Sequence, residues 1–196
     1  NNRLTEFLWQ TKRLHKHQAA NRQKLGTVDQ INRLLFSAID NRKIGKCTAA
    51  VFLDVDKAFD SVWHSGLKYK FVKSGLPPPV CRLLSNYLDN IKLFVQQGSS
   101  FSDSFCPSAG IPQGGVISPT LYSFYTSDYP SFGNVNIGMY VDDIGLWCSH
   151  KIPEIAVQNL QIALDNFDQY CHKWRTNLNA DKTEAICLAR FKSSRK

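Results

Sequence analysis

The chain has 196 residues, 43% of them hydrophobic and 20% charged, the make-up of one globular domain, or of one with an incomplete neighbour; disordered and collagen-like classes are excluded. No apolar run nears the roughly 18 residues of a membrane span, the polar start Asn1 to Lys16 is unlike a secretory signal, and the sole methionine is Met139. A soluble, intracellular piece of a longer protein, with no membrane partner, is expected. The net charge of +8 is uneven, with ten basic and three acidic side chains in residues 1–46, five and one in 182–196, and nine and twelve between. It reads either as a phosphate-attracting surface around a cation-holding centre or as solvated helix faces.

In chain order, Leu4, Phe7, Leu8 and Leu14 fall near helical spacing and predict a helix over Asn2 to His15. Thr27-Val-Asp-Gln30 has the form of a capping box, and Ile31, Leu34, Leu35 and Ile39 continue at the helical period, so a helix runs from Val28 to about Asn41. Thr48 to Val55 is short, apolar and partly β-branched, which fits a buried strand. A polar and aromatic stretch, Asp56 to Trp63, leads to a short helix ending before Pro77-Pro-Pro79, and another helix covers Val80 to Leu88. Ile91 to Gln97 and Phe101 to Cys106, parted by Gly98-Ser-Ser100, read as a hairpin. Ser118 as N-cap before Pro119 opens a helix to about Tyr129. Val135 to Val141 and Ile144 to Cys148 are strands around Asp142-Asp143. From Pro153 to Arg175 the residues Ala156, Leu160, Ala163, Leu164, Phe167, Cys171 and Trp174 hold one helical face. A strand over Glu184 to Ala189 follows, and Lys192 to Lys196 reads as a disordered tail. This mixed order predicts an α+β fold, a sheet with helices on one face.

Six cysteines (Cys47, Cys81, Cys106, Cys148, Cys171, Cys187) stand singly, without a Cys-x-x-Cys pair or zinc-finger histidines. They read as small buried hydrophobes in a reducing compartment.

The carboxylates carry the chemistry. Asp142-Asp143 sits between two apolar strands where a two-residue connection favours Asn-Gly or Asp-Gly, and two adjacent carboxylates stay ionised together only beside a cation. Taken alone the pair could still be a solvated acidic turn. Asp54 lies at the end of an apolar strand, a costly place for a lone carboxylate. If the two strands are neighbours, three carboxylates converge, an all-oxygen set suited to Mg²⁺ and to in-line phosphoryl transfer between two ions. Strand alternation leaves Asp56 on the same face as Asp54, a further candidate ligand. The loop Gly110-Ile-Pro-Gln-Gly-Gly115 allows backbone to approach a ligand, with Gln113 its one long polar side chain, though it also reads as a plain turn.

Phe52-Leu-Asp-Val-Asp-Lys-Ala-Phe-Asp60, Gly110-Ile-Pro-Gln-Gly-Gly-Val-Ile-Ser-Pro119, Tyr140-Val-Asp-Asp143 and Leu178-Asn-Ala-Asp-Lys-Thr-Glu184 resemble, in order and spacing, the palm motifs of reverse transcriptases, most closely those of jockey-type non-LTR retrotransposons. The resemblance covers about Asn2 to Ala189. It implies a polymerase palm over residues 47–196, with fingers insertions within about 61–109, a partial fingers region over 1–46, and no thumb. It implies an RNA-directed DNA polymerase with an RNA template, a DNA primer and deoxynucleoside triphosphates as partners, and two Mg²⁺ ions, replaceable by Mn²⁺, as cofactors. The metal ligands would be Asp54, the Val55 carbonyl, Asp142 and Asp143. Phe59 matches the ring that excludes a ribose 2′-hydroxyl, Gln113 a contact to the incoming nucleotide, and Tyr140 and Val141 neighbours of the primer end. Lys182 matches a lysine that protonates departing pyrophosphate, and Arg22 the fingers arginine that holds the triphosphate. The chain departs from the family where Gln18-Ala-Ala-Asn-Arg22 replaces Gln-x-Gly-Phe-Arg, and where Gly115 replaces a common serine.

Two other readings stand beside this one. Leu53-Asp-Val-Asp56 also resembles the Asp-x-Asp motif of haloacid-dehalogenase phosphatases, a phosphotransferase alternative. The chain could instead be an inactive retrotransposon remnant that keeps non-specific nucleic-acid binding through its basic flanks.

Overall fold

The computed structural model describes residues 2–20, 22 and 25–188. The strand end expected at Ala189 and the tail expected over Lys192 to Lys196 lie outside the described residues. In order, these residues form α1 (Asn2–Gln10), α2 (Thr27–Lys43), β1 (Cys47–Leu53), β2 (Val55–Asp56), α3 (His64–Lys73), α4 (Pro78–Asp89), β3 (Gln96–Gln97), β4 (Ser100–Phe101), α5 (Ser118–Tyr125), β5 (Val135–Tyr140), β6 (Asp143–His150), α6 (Pro153–Lys173), β7 (Asn177–Leu178), a 3₁₀ turn (Ala180–Lys182) and β8 (Glu184–Leu188). None of the described helices is long and apolar enough to cross a membrane.

The main sheet is antiparallel in the order β5-β6-β1-β8. Alternation along β1 sends Ala49, Val51 and Leu53 into the principal core with Ile144 and Leu146 of β6 and with the α6 stripe, where Ala156, Leu160, Ala163, Phe167 and Cys171 are buried as expected. α5 is sunk in the same core, with Leu121 to Tyr125 all buried. The expected helical cover on one face is therefore present, and α2 adds cover on the other, where Leu34 packs on Ala50 and Trp147. Gly138 permits that approach, because a Cβ there would stand 2.8 Å from Gln30 Oε1.

Local chemistry shifts several boundaries. α1 stops at Gln10 because Lys12 turns to φ 54°, so Leu14 is buried from irregular chain rather than from a helix. α2 starts one residue early: Gly26 is its N-cap and donates its amide to Asp29 Oδ2 at 2.7 Å, while Gln30, expected to close the box, donates to His17 O at 3.2 Å. Only Leu34 and Ala38 of α2 are buried; Ile31, Leu35 and Ile39 stay exposed. Ser118 lies inside α5, whose N-cap is Ile117, and its hydroxyl donates to Pro112 O at 2.7 Å. The 91–106 hairpin keeps only Gln96–Gln97 against Ser100–Phe101 and a Leu93–Phe105 bridge. Cys47, Cys148 and Cys171 are buried thiols, but Cys106 and Cys187 are exposed, contrary to the expectation of a buried set.

Lys70 of α3 is 4% exposed yet fully paired. Its ammonium donates to Tyr125 O and Asp128 Oδ1, each at 2.5 Å, and to Tyr170 Oη at 2.6 Å, using its three protons, and it lies 3.8 Å from the Trp174 ring centroid. Burial pulls the amine down to about 8 against the opposing pull of Asp128. The Tyr170 hydroxyl, pushed up by burial and then by Asp128, keeps its proton and donates to Asp128 Oδ1 at 2.5 Å. Lys70→Met strands these acceptors and is expected to cost about 3–5 kcal/mol, read from the shift in urea midpoint.

His15 and His17 precede the stretch that borders β5. Burial, followed by Lys16 and Arg33, brings His15 down to about 4 in spite of Asp128; burial, followed by Arg33, His15 and Lys16, does the same to His17. A base whose folded pKa is depressed is less protonated in the native state than in the unfolded chain between pH 4 and 6.5, so stability falls as pH drops through that window. Urea titrations at pH 7, 6, 5 and 4 are expected to show this loss, and His15→Gln is expected to flatten it.

Candidate active site

β1 and β6 run antiparallel with Leu53 opposite Ile144. The ladder ends with that pair, and Asp54 and Asp143 flank it, Asp54 following Leu53 and Asp143 preceding Ile144. Tyr140 pairs with Asp143, so the two-residue connection is Val141-Asp142, and Asp143 is the first residue of β6 rather than part of the turn as the sequence implied. Val141 takes φ 56° and Asp142 does not share the positive sign. That is the pattern of a type II′ turn, whose first central position favours glycine. The three carboxylates are electrostatically coupled: Asp143 is raised above its ordinary value by burial, then by Asp142, then by Asp54.

β1 ends at Leu53, and Val55–Asp56 pairs with Asn177–Leu178 as a separate ribbon. Burial still alternates from Val51 to Asp56, so Asp54 and Asp56 share the less buried face; Asp56 is exposed on β2 and is not among the residues that line the cleft described below. Asp54 is held from the other side of the ribbon. Asn179 N donates to Asp54 O at 2.9 Å, and Asn179 Oδ1 accepts from Lys182 N at 3.2 Å, capping the 3₁₀ turn. The turn aims Lys182 Nζ at Asp54 Oδ2, 3.2 Å away.

A cleft of about 450 Å³ opens between α2 and the sheet, with Gln30, Phe52, Asp54, Tyr140, Asp143 and Lys182 on its walls. Phe59 is near the turn after β2, half-buried and stacked on Tyr122 with ring centroids 5.2 Å apart. Its carbonyl accepts from Ile111 N at 3.0 Å and Val62 O accepts from Gly110 N at 2.9 Å, so the glycine loop and Phe59 form one unit. Gln113 is exposed at its tip. Gly115 is required by close packing: a Cβ there would lie 2.5 Å from Ser118 Oγ, and the serine common at this position would collide with the hydroxyl that fastens the loop to α5. Arg22 is not a cleft residue; its guanidinium stacks over Trp9 at 4.8 Å from the ring centroid. Asn179, Gln18 and Phe52 were not given roles from sequence, although each stands in a stretch compared with the family's motifs: Asn179 within Leu178 to Glu184, Phe52 at the head of Phe52 to Asp60, and Gln18 at the head of Gln18 to Arg22.

The donor set of Asp54, Asp142 and Asp143 is all carboxylate oxygen, which fits a hard divalent cation, and the raised Asp143 marks the negative charge that a cation would relieve. As they stand, no three His, Cys, Asp or Glu side chains among the described residues are gathered closely enough to grip a metal, and Asp54 is paired with Lys182.

The family model described as reverse transcriptase (RNA-dependent DNA polymerase) matches residues 1–195. The chain belongs to the reverse transcriptase family. It is 34% identical over 95% of its length to a probable RNA-directed DNA polymerase from transposon BS of Drosophila melanogaster, and 33% identical over 96% to the RNA-directed DNA polymerase from mobile element jockey of the same species. It spans 21% of the length of each. Among solved structures, apo telomerase from Candida tropicalis truncated from its C-terminal domain superposes with a TM-score of 0.70, covering 97% of this chain and 41% of that one at 13% identity. That likeness shows the polymerase palm fold.

A divalent cation held by this reverse transcriptase palm would stabilise it by linkage: at ten times its dissociation constant it would contribute about 1.4 kcal/mol. Scanning calorimetry is expected to show the melting temperature rising with Mg²⁺ in the wild type and staying flat when Asp54→Asn and Asp142→Asn are combined.

Proposed function

We propose that this chain is the catalytic palm, with part of the fingers in residues 1–46 and within 61–109, of an RNA-directed DNA polymerase that extends a DNA primer on an RNA template with deoxynucleoside triphosphates. The observation that carries the reading is the β1/β6 ladder, whose last pair, Leu53 and Ile144, adjoins Asp54 and Asp143 on the walls of an open cleft. The names of the relatives, RNA-directed DNA polymerases of mobile elements, support it, as does a structural neighbour described as telomerase in complex with a fragment of telomeric RNA.

Asp54, the Val55 carbonyl, Asp142 and Asp143 would hold two Mg²⁺ ions, or Mn²⁺ in their place, which supply a more acidic primer hydroxyl and charge neutralisation at the leaving phosphates. Lys182, paired with Asp54 in this structure, would release that carboxylate and donate a proton to the departing pyrophosphate. Phe59, braced against Tyr122, would bar a ribose 2′-hydroxyl by contact. Gln113 would touch the incoming nucleotide, Tyr140 and Val141 would border the primer end, and Arg22 would have to leave Trp9 to reach a triphosphate.

The phosphotransferase alternative requires Asp54 and Asp56 at one site, whereas Asp54 lines the cleft with Asp143 and Lys182 and Asp56 does not. An inactive remnant would bind nucleic acid through its basic flanks without extending it.

Primer extension on poly(rA)/oligo(dT) tests the reading, on this chain and on a longer form of the protein. Mg²⁺-dependent extension is expected, reduced on the order of a thousandfold by Asp142→Asn, the scale of losing a principal electrostatic contact to the transition state. Extension that survives Asp142→Asn would refute the site. Phe59→Ala is expected to narrow the preference for deoxynucleotides over ribonucleotides by about tenfold or more, measured as the ratio of kcat/KM values.

A further inference from the structure

His17 to Ala20 runs along β5 as a short extra edge. Met139 N donates to His17 O at 3.2 Å and Ala19 N donates to Met139 O at 2.9 Å, a parallel bridge centred on Gln18 and Met139. The next rung is made by a side chain. The carboxamide of Gln18, a residue with no exposed surface, accepts from Val141 N at 3.0 Å and donates to Val141 O at 3.2 Å, so it pairs with that residue as a neighbouring strand would. Its Oε1 also accepts from Ala20 N at 3.1 Å. Two amides face Oε1 and a carbonyl faces Nε2, so the reverse orientation of the carboxamide would set donor against donor.

The residue held in this way is Val141, which carries a β-branched side chain at φ 56°, in the left-handed region that such side chains avoid. A conformation of that kind persists only where its surroundings impose it. Val141 is followed directly by Asp142 and Asp143, so the plane of its peptide sets where both carboxylates stand. α2 anchors the edge from behind: Gln30 Nε2 donates to His17 O at 3.2 Å, and Arg33 Nη2 lies 2.9 Å from His17 Nδ1.

We infer that Gln18 is a positioning residue for polymerisation, its carboxamide fixing the strained Val141 turn and so the placing of Asp142 and Asp143. The inference rests on the polymerase reading for its catalytic part, while the hydrogen-bonded clamp stands on geometry alone. It also agrees with the Gln18-Ala-Ala-Asn-Arg22 stretch, where Gln18, which does the clamping, is present while Ala20 and Asn21 stand in place of the pattern's Gly-Phe.

The test replaces Gln18 with methionine, which is close in size but cannot form either bond, and with asparagine, one methylene too short to reach both. Amide hydrogen exchange followed by NMR is expected to accelerate at Val141 by at least tenfold in both variants, with the β1–β6 ladder near Cys148 unchanged. Unaltered exchange at Val141 overturns the clamp whether or not the protein polymerises. In primer extension Gln18→Met is expected to lose at least tenfold in kcat with KM for the primer–template within threefold. Adding Val141→Gly, which makes the positive φ free of steric cost, is expected to return at least threefold of that loss. A side chain that merely fills space would gain nothing from glycine at the turn, so no recovery, or an unchanged kcat in Gln18→Met, overturns the positioning role. Absence of Mg²⁺-dependent extension in the wild type would count against the polymerase reading, and the exchange measurement would still decide the clamp.

Discussion

The site depends on one register, that of β1 against β6. Val51 and Leu53 of β1 enter the core beside Ile144 and Leu146 of β6, each side chain contributing about 1.5–3 kcal/mol by burial. A slip by one residue would turn this whole set toward the cleft. Against it stands the mutual repulsion of the carboxylates, which adds to burial in raising Asp143 above its ordinary value, first through Asp142 and then through Asp54. Burial wins, and the acids stay at one end of the ladder although they would separate if free to do so. The convergence of negative charge follows from how the sheet buries its apolar face.

The carboxylate and basic partners around this junction answer the same constraint. Lys182 is brought to Asp54 by a turn that Asn179 caps and whose amide ties back to the Asp54 carbonyl. The cation therefore arrives with the ribbon that takes over after Leu53. On the other flank, α2 and the His17–Ala20 edge close the cleft over β5. The site is thus enclosed by elements distant in sequence, each anchored through backbone groups and not through the carboxylates themselves.

Much of this was legible in the residues. The α6 stripe, the apolar run of β1 and the four palm-like motifs gave the sheet, its principal helix and the three carboxylates. What stayed hidden had physical reasons. The turn was placed one residue late, on Asp142-Asp143, because the apolar runs on either side extend to Val141 and from Ile144, whereas the structure puts the positive φ on Val141 and holds it from outside. Alternation kept Asp56 on the face of Asp54, and burial does alternate from Val51 to Asp56, but the change of ribbon after Leu53 has no periodic signature. The Thr27–Gln30 box lost to Gly26 and Asp29, a competition among neighbouring caps that spacing alone does not resolve. The apolar period of α2 gave the helix but not its outward-facing residues Ile31, Leu35 and Ile39, since periodicity reports an amphipathic face and not what covers it. Arg22 was assigned to the triphosphate from a motif whose Gly-Phe is replaced by Ala20-Asn21; it stacks on Trp9 in this structure, and its role stays a proposal.

Lys70 has a chemical corollary. An amine acylates through its free lone pair, and this one has each of its hydrogens committed and an indole face against it. Among lysines on a basic protein it would be the slow one to modify, even at a pH where its depressed basicity would by itself make it the quickest. Its labelling rate would thus report how often α3 parts from α6, a clock for the opening of the core that needs no probe to be introduced.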